Sequence, residues 1–385
     1  MPESFVIDGA SVVTPDNVLP DCALRVSDGR IAGLRQGSTF KTAEPHLDGR
    51  GKHLFPGFVD LHCDAIEKQI EPRPNTFFPV DIAVHELDKK LASCGVTTMY
   101  HSLSFAEMEV GLRSNGMAAQ IAREINLHAP GLRVRTRVHT RFEVTDGGAV
   151  PILERLIEDG EVGLFSLMDH TPGQGQFREV ASFKSYYGPV YAKSDEEMDR
   201  IIARKQQAKN EAALGGIETL TGRCRQHGVA LASHDDDCAE KLGWLHELGV
   251  AISEFPVNLD AARAARFRGI GVVLGSPNVL RGSSQGGNLS AREALAEGCG
   301  DILCSDYAPQ TLLHAVLALE KLGLRPLNEA VNLISRNPAQ AVGIGEQTGA
   351  IVEGLAADLL LVDLEHGFPR VVKTFVGGRE VYASC

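Results

Sequence analysis

Residues 54–74 read LFPGFVDLHCDAIEKQIEPRP, and the fold is decided there. Pro56-Gly57 makes a turn, Phe58-Val59 begins a short apolar run, and the run ends on His62, Cys63 and Asp64. A turn followed by such a run reads as a buried strand. Side chains two apart on a strand share a face, so His62 and Asp64 would present an imidazole nitrogen and a carboxylate together at the strand's C-terminal end. That pair is a two-ligand clamp for a divalent cation, and the same alternation turns Cys63 away from it, into packing. An H-x-D triplet is common by itself, and its bland reading is a hydrogen-bonded polar strand end. Its weight depends on what the other strand ends carry.

Seven more apolar segments follow, separated by amphipathic helical stretches. They are VTTMYHSL near 96–103, RVRTRVHTRFEV near 133–144, VGLFSLMDH near 162–170, VALASHD near 229–235, VAISEFP near 250–256, GVVLGSP near 271–277 and DILCSDY near 301–307. Strands alternating with helices predict parallel βα units, and eight of them fit a closed (β/α)8 barrel of the TIM type better than an open doubly wound sheet.

In such a barrel the βα loops form one rim, where chemistry collects. After His62 and Asp64, the strand ends carry His101, then His139, Arg141 and Glu143, then Asp169 and His170, then Ser233, His234, Asp235 and Asp236, then Glu254, Asn278 and Asp306. One histidine at a strand end is usually a satisfied core residue. Imidazoles and carboxylates at successive ends would be strained without a cation. Oxygen donors with several histidines suit zinc, manganese or iron rather than a thiolate site, and a surplus of donors suits two metals sharing a carboxylate.

Both ends of the chain read differently. Residues 1–55 and 345–385 alternate apolar and polar positions between turns such as Asp28-Gly29, so they predict a small discontinuous β-sandwich domain around a barrel spanning 56–344. A helical insertion over about 178–222 breaks the barrel's rhythm, and Ser194-Asp195-Glu196-Glu197 inside it reads as a capped helix start. The insertion is either a structural excursion or a lid or subunit contact.

Composition narrows the function classes. A net charge of −12 argues against a broad nucleic-acid or anionic-membrane surface, while leaving room for a small anionic substrate held by metals and a local basic cluster. A mean hydropathy of −0.07, with no long apolar run, excludes a membrane span, and the N-terminus lacks signal-peptide character, so cytoplasmic residence is expected. The eight cysteines sit singly, without a C-x-x-C pair, as reduced thiols do.

The order PGFVDLH, H-x-D, a carboxylate midway, histidines on two later strands and an aspartate on the last resembles the amidohydrolase superfamily, as does the closing GAIVEGLAADLLLVD. More narrowly, DLHCDAIEKQIEPRP, SLMDHTPGQGQF, ASHDDD, EFPVNLDAA, GSPNVLRG and CSDYAPQTLL resemble the family of diphosphatases that act on alpha-D-ribose 1-methylphosphonate 5-triphosphate in phosphonate catabolism.

That resemblance implies two divalent metals, zinc or manganese. His62, Asp64 and Asp306 would hold one and His170 and His234 the other, with Glu143 bridging and Asp169 and Asp235 as rivals. Asp306 would also take a proton. The implied reaction is release of pyrophosphate from a small phosphorylated substrate by metal-activated water, with hydrolysis of a C–N bond in a small anionic substrate as the alternative, and a homo-oligomer is expected. Lys68, Arg73 and Arg281 are candidates for the phosphate tail, and Arg141 follows them.

The stretch RGSSQGGNLSAREAL could cradle phosphate on backbone N–H groups, though it lacks the Gly-Lys-Ser/Thr of a P-loop. Here the chain departs from the family, which resembles S-H-S-G-N; this sequence has Ser284-Gln285-Gly286-Gly287-Asn288. Gln285 and Asn288 are the candidate donors in place of the missing histidine.

Overall fold

The computed structural model describes residues 4–107, 112–171, 181, 184, 194–208, 211–365 and 368–384. The chain begins with β1 (Phe5–Val13), β2 (Val18–Ser27), β3 (Arg30–Gln36), β4 (His46–Asp48) and β5 (His53–Pro56). β2 and β3 meet in the expected Asp-Gly turn, where Asp28 and Gly29 have φ of 51° and 73°. A Cβ on Gly29 would lie 2.6 Å from the Gly377 carbonyl oxygen, so glycine is also needed for close approach.

Eight strands then form a parallel barrel in strict chain order: β6 (Phe58–Cys63), β7 (Val96–Phe105), β8 (Arg135–Glu143), β9 (Leu164–Met168), β10 (Ala230–His234), β11 (Ile252–Glu254), β12 (Gly271–Gly275) and β13 (Ile302–Cys304). The last strand closes onto the first through the Cys63–Asp306 bridge, where the Asp64 N–H donates to the Asp306 carbonyl at 2.7 Å and the Asp306 N–H to the His62 carbonyl at 2.9 Å. The expected TIM-type barrel is therefore borne out.

The chain returns through β14 (Leu359–Asp363), β15 (Arg370–Val376) and β16 (Arg379–Ala383). β14 pairs antiparallel with β5, joining the two ends of the chain in one mixed sheet ordered β16-β15-β14-β5-β1-β2-β3, with β4 paired to β1. Its core includes Phe5 and Phe375, whose rings lie 5.0 Å apart.

Alternation sorts the barrel strands into two faces. Phe142, Phe165, Leu231 and Leu274 point outward into the helical layer, whereas Leu61, Tyr100, Leu164, Ala232, Ile252, Val273 and Ile302 fill the interior. Above that apolar plug, toward the C-terminal ends, the same inward positions become polar. The floor excludes water and the layer above it holds charge.

Of the expected insertion, residues 178–180, 182, 183, 185–193, 209 and 210 lie outside the described residues. The helix Asp195–Ala208 starts with the expected capping box: the Ser194 N–H donates to Glu197 Oε2 at 3.0 Å and the Glu197 N–H to Ser194 Oγ at 3.3 Å. The helix Glu211–His227 buries Ile217, Leu220 and Cys224 in the main core, as a barrel helix must. No helix among the described residues is long and apolar enough to cross a membrane.

Candidate metal centre

The first strand does not keep a plain alternation. Asp60 faces Met99 and Cys63 faces His101, so β6 spends one more residue than β7 over this span. A bulge of this kind re-aims a side chain. Leu61 stays in the interior cluster, His62 follows it toward the histidines of the mouth, and Cys63 packs in the outer layer. The bulge is pinned on both sides. Asp60 Oδ1 accepts from the His62 N–H at 3.3 Å and from the Ser305 N–H at 3.1 Å, while the Leu61 carbonyl lies 3.0 Å from His139 Nδ1. Asp64 lies beyond the strand, at the start of the helix Ala65–Ile70.

Two groups of donors converge. One is His62, His234 and Glu254; the other is His170, His234 and Asp235. His234 belongs to both. Asp235 Oδ2 sits 3.0 Å from His234 Nδ1 and 3.5 Å from His170 Nε2, and Glu143 Oε2 sits 3.3 Å from His170 Nδ1. The approach of His234 Nδ1 to Asp235 Oδ2 lacks hydrogen-bond geometry. Two donor atoms facing one centre without bonding each other fit a shared cation, and imidazole with carboxylate suits a divalent ion of borderline hardness.

Glu254, fully buried, reaches across the barrel. Its Oε1 accepts from His62 Nδ1 at 2.8 Å and its Oε2 from Ser166 Oγ at 2.8 Å, with His139 Nε2 at 3.5 Å. Holding Nδ1–H on a carboxylate fixes the tautomer and leaves Nε2 of His62 as the free donor, the arrangement that orients metal-binding imidazoles. Phe255 closes the side, its ring 5.0 Å from that of His62 and 5.2 Å from that of His234.

Three strand ends turn through the left-handed region immediately beside these donors. Asp235, Phe255 and Asp306 have φ of 53°, 53° and 61°. Such conformations cost energy outside glycine and persist where surroundings impose them. Asp236 supplies part of that constraint: its Oδ2 accepts from Ser233 Oγ at 2.5 Å and Ser253 Oγ at 2.6 Å, and its Oδ1 lies 3.0 Å from Lys241 Nζ.

The electrostatics match a site built to hold cations. Burial, followed by the charges of Arg141 and His234, pushes the His62 imidazolium well below its usual range, and burial brings His139 down to about 3. These rings are neutral and able to donate lone pairs. Burial and the neighbouring Asp64 carboxylate raise Asp306 to about 6, while burial and Glu67 raise Asp64. Burial alone would raise Asp235 as well, yet the imidazoles of His234 and His170 hold it below its usual range.

A pH test follows from Asp306. The unfolded carboxyl titrates near 3.8 and the folded one near 6, so between those values the unfolded chain has released a proton that the fold keeps. The metal-free protein is therefore expected to lose stability as pH rises through that window, by on the order of 2 kcal/mol after allowing for partial exposure, and to level off above it. Denaturant melts of chelator-treated wild type and Asp306→Asn at pH 4.5 and 7 measure the difference. An equal slope in both proteins would assign the effect elsewhere.

Other sequence candidates fall at varied depths. Lys68, Arg73, Arg281 and Gln285 are exposed, and Asn288 is half-buried. The charge of Lys68 is felt at Asp64. Asn278, just before the glycine-rich stretch, accepts from the Ala291 N–H and donates to the Leu289 carbonyl, both at 3.0 Å, so one backbone N–H of the candidate cradle is already engaged. His101 shares the outward parity of Met99 and Leu103 and is buried among helices. Asp169 accepts from the Thr171 N–H at 3.0 Å; between the two rival aspartates, Asp235 is the one that joins the donor cluster.

A family model described as "Amidohydrolase family" matches residues 187–381. The chain belongs to the amidohydrolase family. This amidohydrolase is 31% identical over 382 residues to "Alpha-D-ribose 1-methylphosphonate 5-triphosphate diphosphatase" of Escherichia coli (strain K12), with 98% of this chain and all of the relative covered. The narrower resemblance read from the six motifs is thereby borne out. It is also 23% identical over 402 residues to "N-acetylgalactosamine-6-phosphate deacetylase" of Shewanella sp. (strain ANA-3), covering 98% of this chain and 96% of the relative. Among solved structures, a Xaa-Pro dipeptidase with methionine in its active site superposes with a TM-score of 0.66 at 13% identity, over 99% of this amidohydrolase and 100% of that chain. At that identity the likeness concerns the fold alone.

Proposed function

We propose that this amidohydrolase is a divalent-metal-dependent diphosphatase that releases pyrophosphate from alpha-D-ribose 1-methylphosphonate 5-triphosphate, working in the cytoplasm. The observation that carries the reading is the 31% identity to the E. coli diphosphatase over 98% of this chain and the whole of that relative. The donor clusters support it, because charge on a triphosphate must be met by cations in a chain that is itself acidic.

In this reading His62, Asp64 and Asp306 would hold one divalent cation and His170 and His234 a second, with Glu143 or Asp235 as the candidate shared carboxylate. Bound divalent cations supply Lewis-acid polarisation of phosphoryl oxygens and an acidified water. The chain's own groups do the rest. Glu254 holds the His62 ring by Nδ1 so that it cannot swing, and the apolar floor beneath keeps bulk water out. Water adds to the α-phosphorus, the bond from that phosphorus to the oxygen bridging to the β-phosphorus breaks, and pyrophosphate departs with the bonding electrons. The ribosyl product keeps its 5-phosphate. Asp306 accepts the proton that the attacking water gives up.

The test is pyrophosphate release from a ribosyl 5-triphosphate, with metal content measured on the same sample. Metal-dependent release is expected. Stoichiometric metal with no release sinks the diphosphatase reading and favours the second one, hydrolysis of a C–N bond in a small phosphorylated substrate. That alternative is favoured by the Ser284-Gln285-Gly286-Gly287-Asn288 departure and by the full-length likeness to the deacetylase.

Glu254→Gln provides a second check on the centre. Removing the carboxylate that orients His62 is expected to weaken metal binding by roughly 10–100-fold without unfolding the barrel. Chelator competition reads the change, and unaltered affinity would remove Glu254 from the site's support.

A further inference from the structure

We infer that the Arg141 guanidinium forms an anion subsite in the barrel wall, binding phosphoryl oxygens of the substrate beside the metal centre. The inference rests on the diphosphatase reading and adds to it the residue that grips the phosphoryl group.

Arg141 lies on β8 between His139 and Glu143. Val138 and Phe142 pack in the outer core, so the alternate positions, Arg141 among them, face the barrel interior. The residue is 6% exposed. Its Nε and Nη2 are buried and have no hydrogen-bond partner among the described residues. A guanidinium cannot shed its charge, so burying it without partners needs a reason.

The reason is visible in which edge is left open. Nε–H and Nη2–H are the two parallel donors of the guanidinium fork, the edge that grips two oxygens of one acid group at once. This same protein uses that edge elsewhere: Arg25 donates Nε and Nη2 to the two oxygens of Glu44, each at 2.8 Å, and Arg50 does the same to Asp48. Arg141 has carboxylates in electrostatic range, since its charge is felt at Asp64 and Asp306, but it bonds neither through this fork. In the proposed assignment those two carboxylates would hold a metal. The fork is left for an acid group arriving from outside, and a tetrahedral phosphoryl group offers paired oxygens at the right spacing.

The exposed bases contrast with it. Lys68, Arg73 and Arg281 stand in water, where screening weakens their hold, whereas Arg141 acts from a dry wall. The outer bases can attract the distal phosphates; the inner one fixes the reacting group.

The experiment uses the full-length, metal-loaded protein and inorganic phosphate as probe, with affinity measured by calorimetry. Arg141→Gln is expected to weaken phosphate binding on the order of 10–100-fold at unchanged metal content. Arg141→Lys, which keeps the charge and loses the fork, is expected to weaken it several-fold while retaining the fold, so the test survives if the glutamine variant does not fold. Phosphate affinity within twofold of wild type in the lysine variant, at equal metal content, overturns the inference. So does preferential binding of malonate over phosphate through the same residue, which would make the subsite one for carboxylates. Wild type that binds phosphate through Arg141 yet releases no pyrophosphate defeats the diphosphatase reading and leaves the subsite standing. Pyrophosphate release that is indifferent to Arg141 does the reverse.

Discussion

Asp306→Asn is expected to leave the barrel folded and to reduce turnover by roughly a thousandfold, the scale of losing a positioned proton acceptor. The substitution is unusually clean here. Asp306 has φ of 61°, and asparagine enters the left-handed region as readily as aspartate, so the backbone turn survives. The amide and carbonyl of Asp306 close the barrel onto Asp64 and His62, and these contacts do not involve the side chain. What changes is charge and basicity. In the metal-free protein, burial and Asp64 raise the carboxyl to about 6, so the site disfavours its ionised form and favours taking up a proton. An amide cannot accept it. The checking measurement is kcat at saturating substrate with metal content recorded in parallel. A thousandfold loss at full metal occupancy assigns proton transfer to Asp306; loss of metal in step with activity assigns it to ligation; near-normal turnover removes it from the chemistry.

Much of this architecture was legible because a parallel barrel repeats one pattern. Seven of the eight barrel strands fall within the segments marked by apolar runs and turn residues, β7 runs two residues past its segment to Phe105, and the terminal sheet lies where Asp-Gly turns punctuate alternating runs. Which face a side chain takes was less legible. His101 and His139 look alike in sequence, yet one residue of parity sends His101 outward with Met99 and Leu103 while His139 faces Glu254. The bulge in β6 is a second case. Plain alternation links His62 to Asp64 on one strand face, but the extra residue re-aims His62, and Asp64 belongs to the following helix. A register shift depends on the partner strand, which no local pattern encodes.

Glu254, Asp235 and Arg141 were visible as polar strand ends without standing out from the others. Their importance comes from distance across the barrel. Glu254 meets His62 from 192 positions away, and the fork of Arg141 stands out because it has no hydrogen-bond partner among the described residues. Contacts and missing contacts of this kind belong to three dimensions. The left-handed turns at Asp235, Phe255 and Asp306 would have been a useful local signal only for a residue type that advertises them, as Asp-Gly does at Asp28-Gly29.

His234→Ala should produce the most severe loss, because His234 is the one residue common to both donor groups. Its ring lies 5.5 Å from that of His62 and 6.2 Å from that of His170, so it is placed between the two histidines that would anchor separate metals. Removing His62 or His170 deprives one group of a donor; removing His234 deprives both. The loss also propagates to Asp235, whose ionised form depends on the imidazoles beside it. With that ring gone, His170 alone opposes burial and Asp235 shifts toward its protonated form, which weakens a further donor. The expected result is loss of most of the metal that the wild type binds and turnover dropping on the order of 10,000-fold. Stability should fall far less, since Ser233, Asp236 and Ser253 hold the ends of β10 and β11 without His234. Metal analysis after dialysis, paired with a thermal melt, separates these effects. Full metal retention with a normal melt would show that the centre is organised around other donors, and His62 with Asp64 and Asp306 would then be the cluster to dissect.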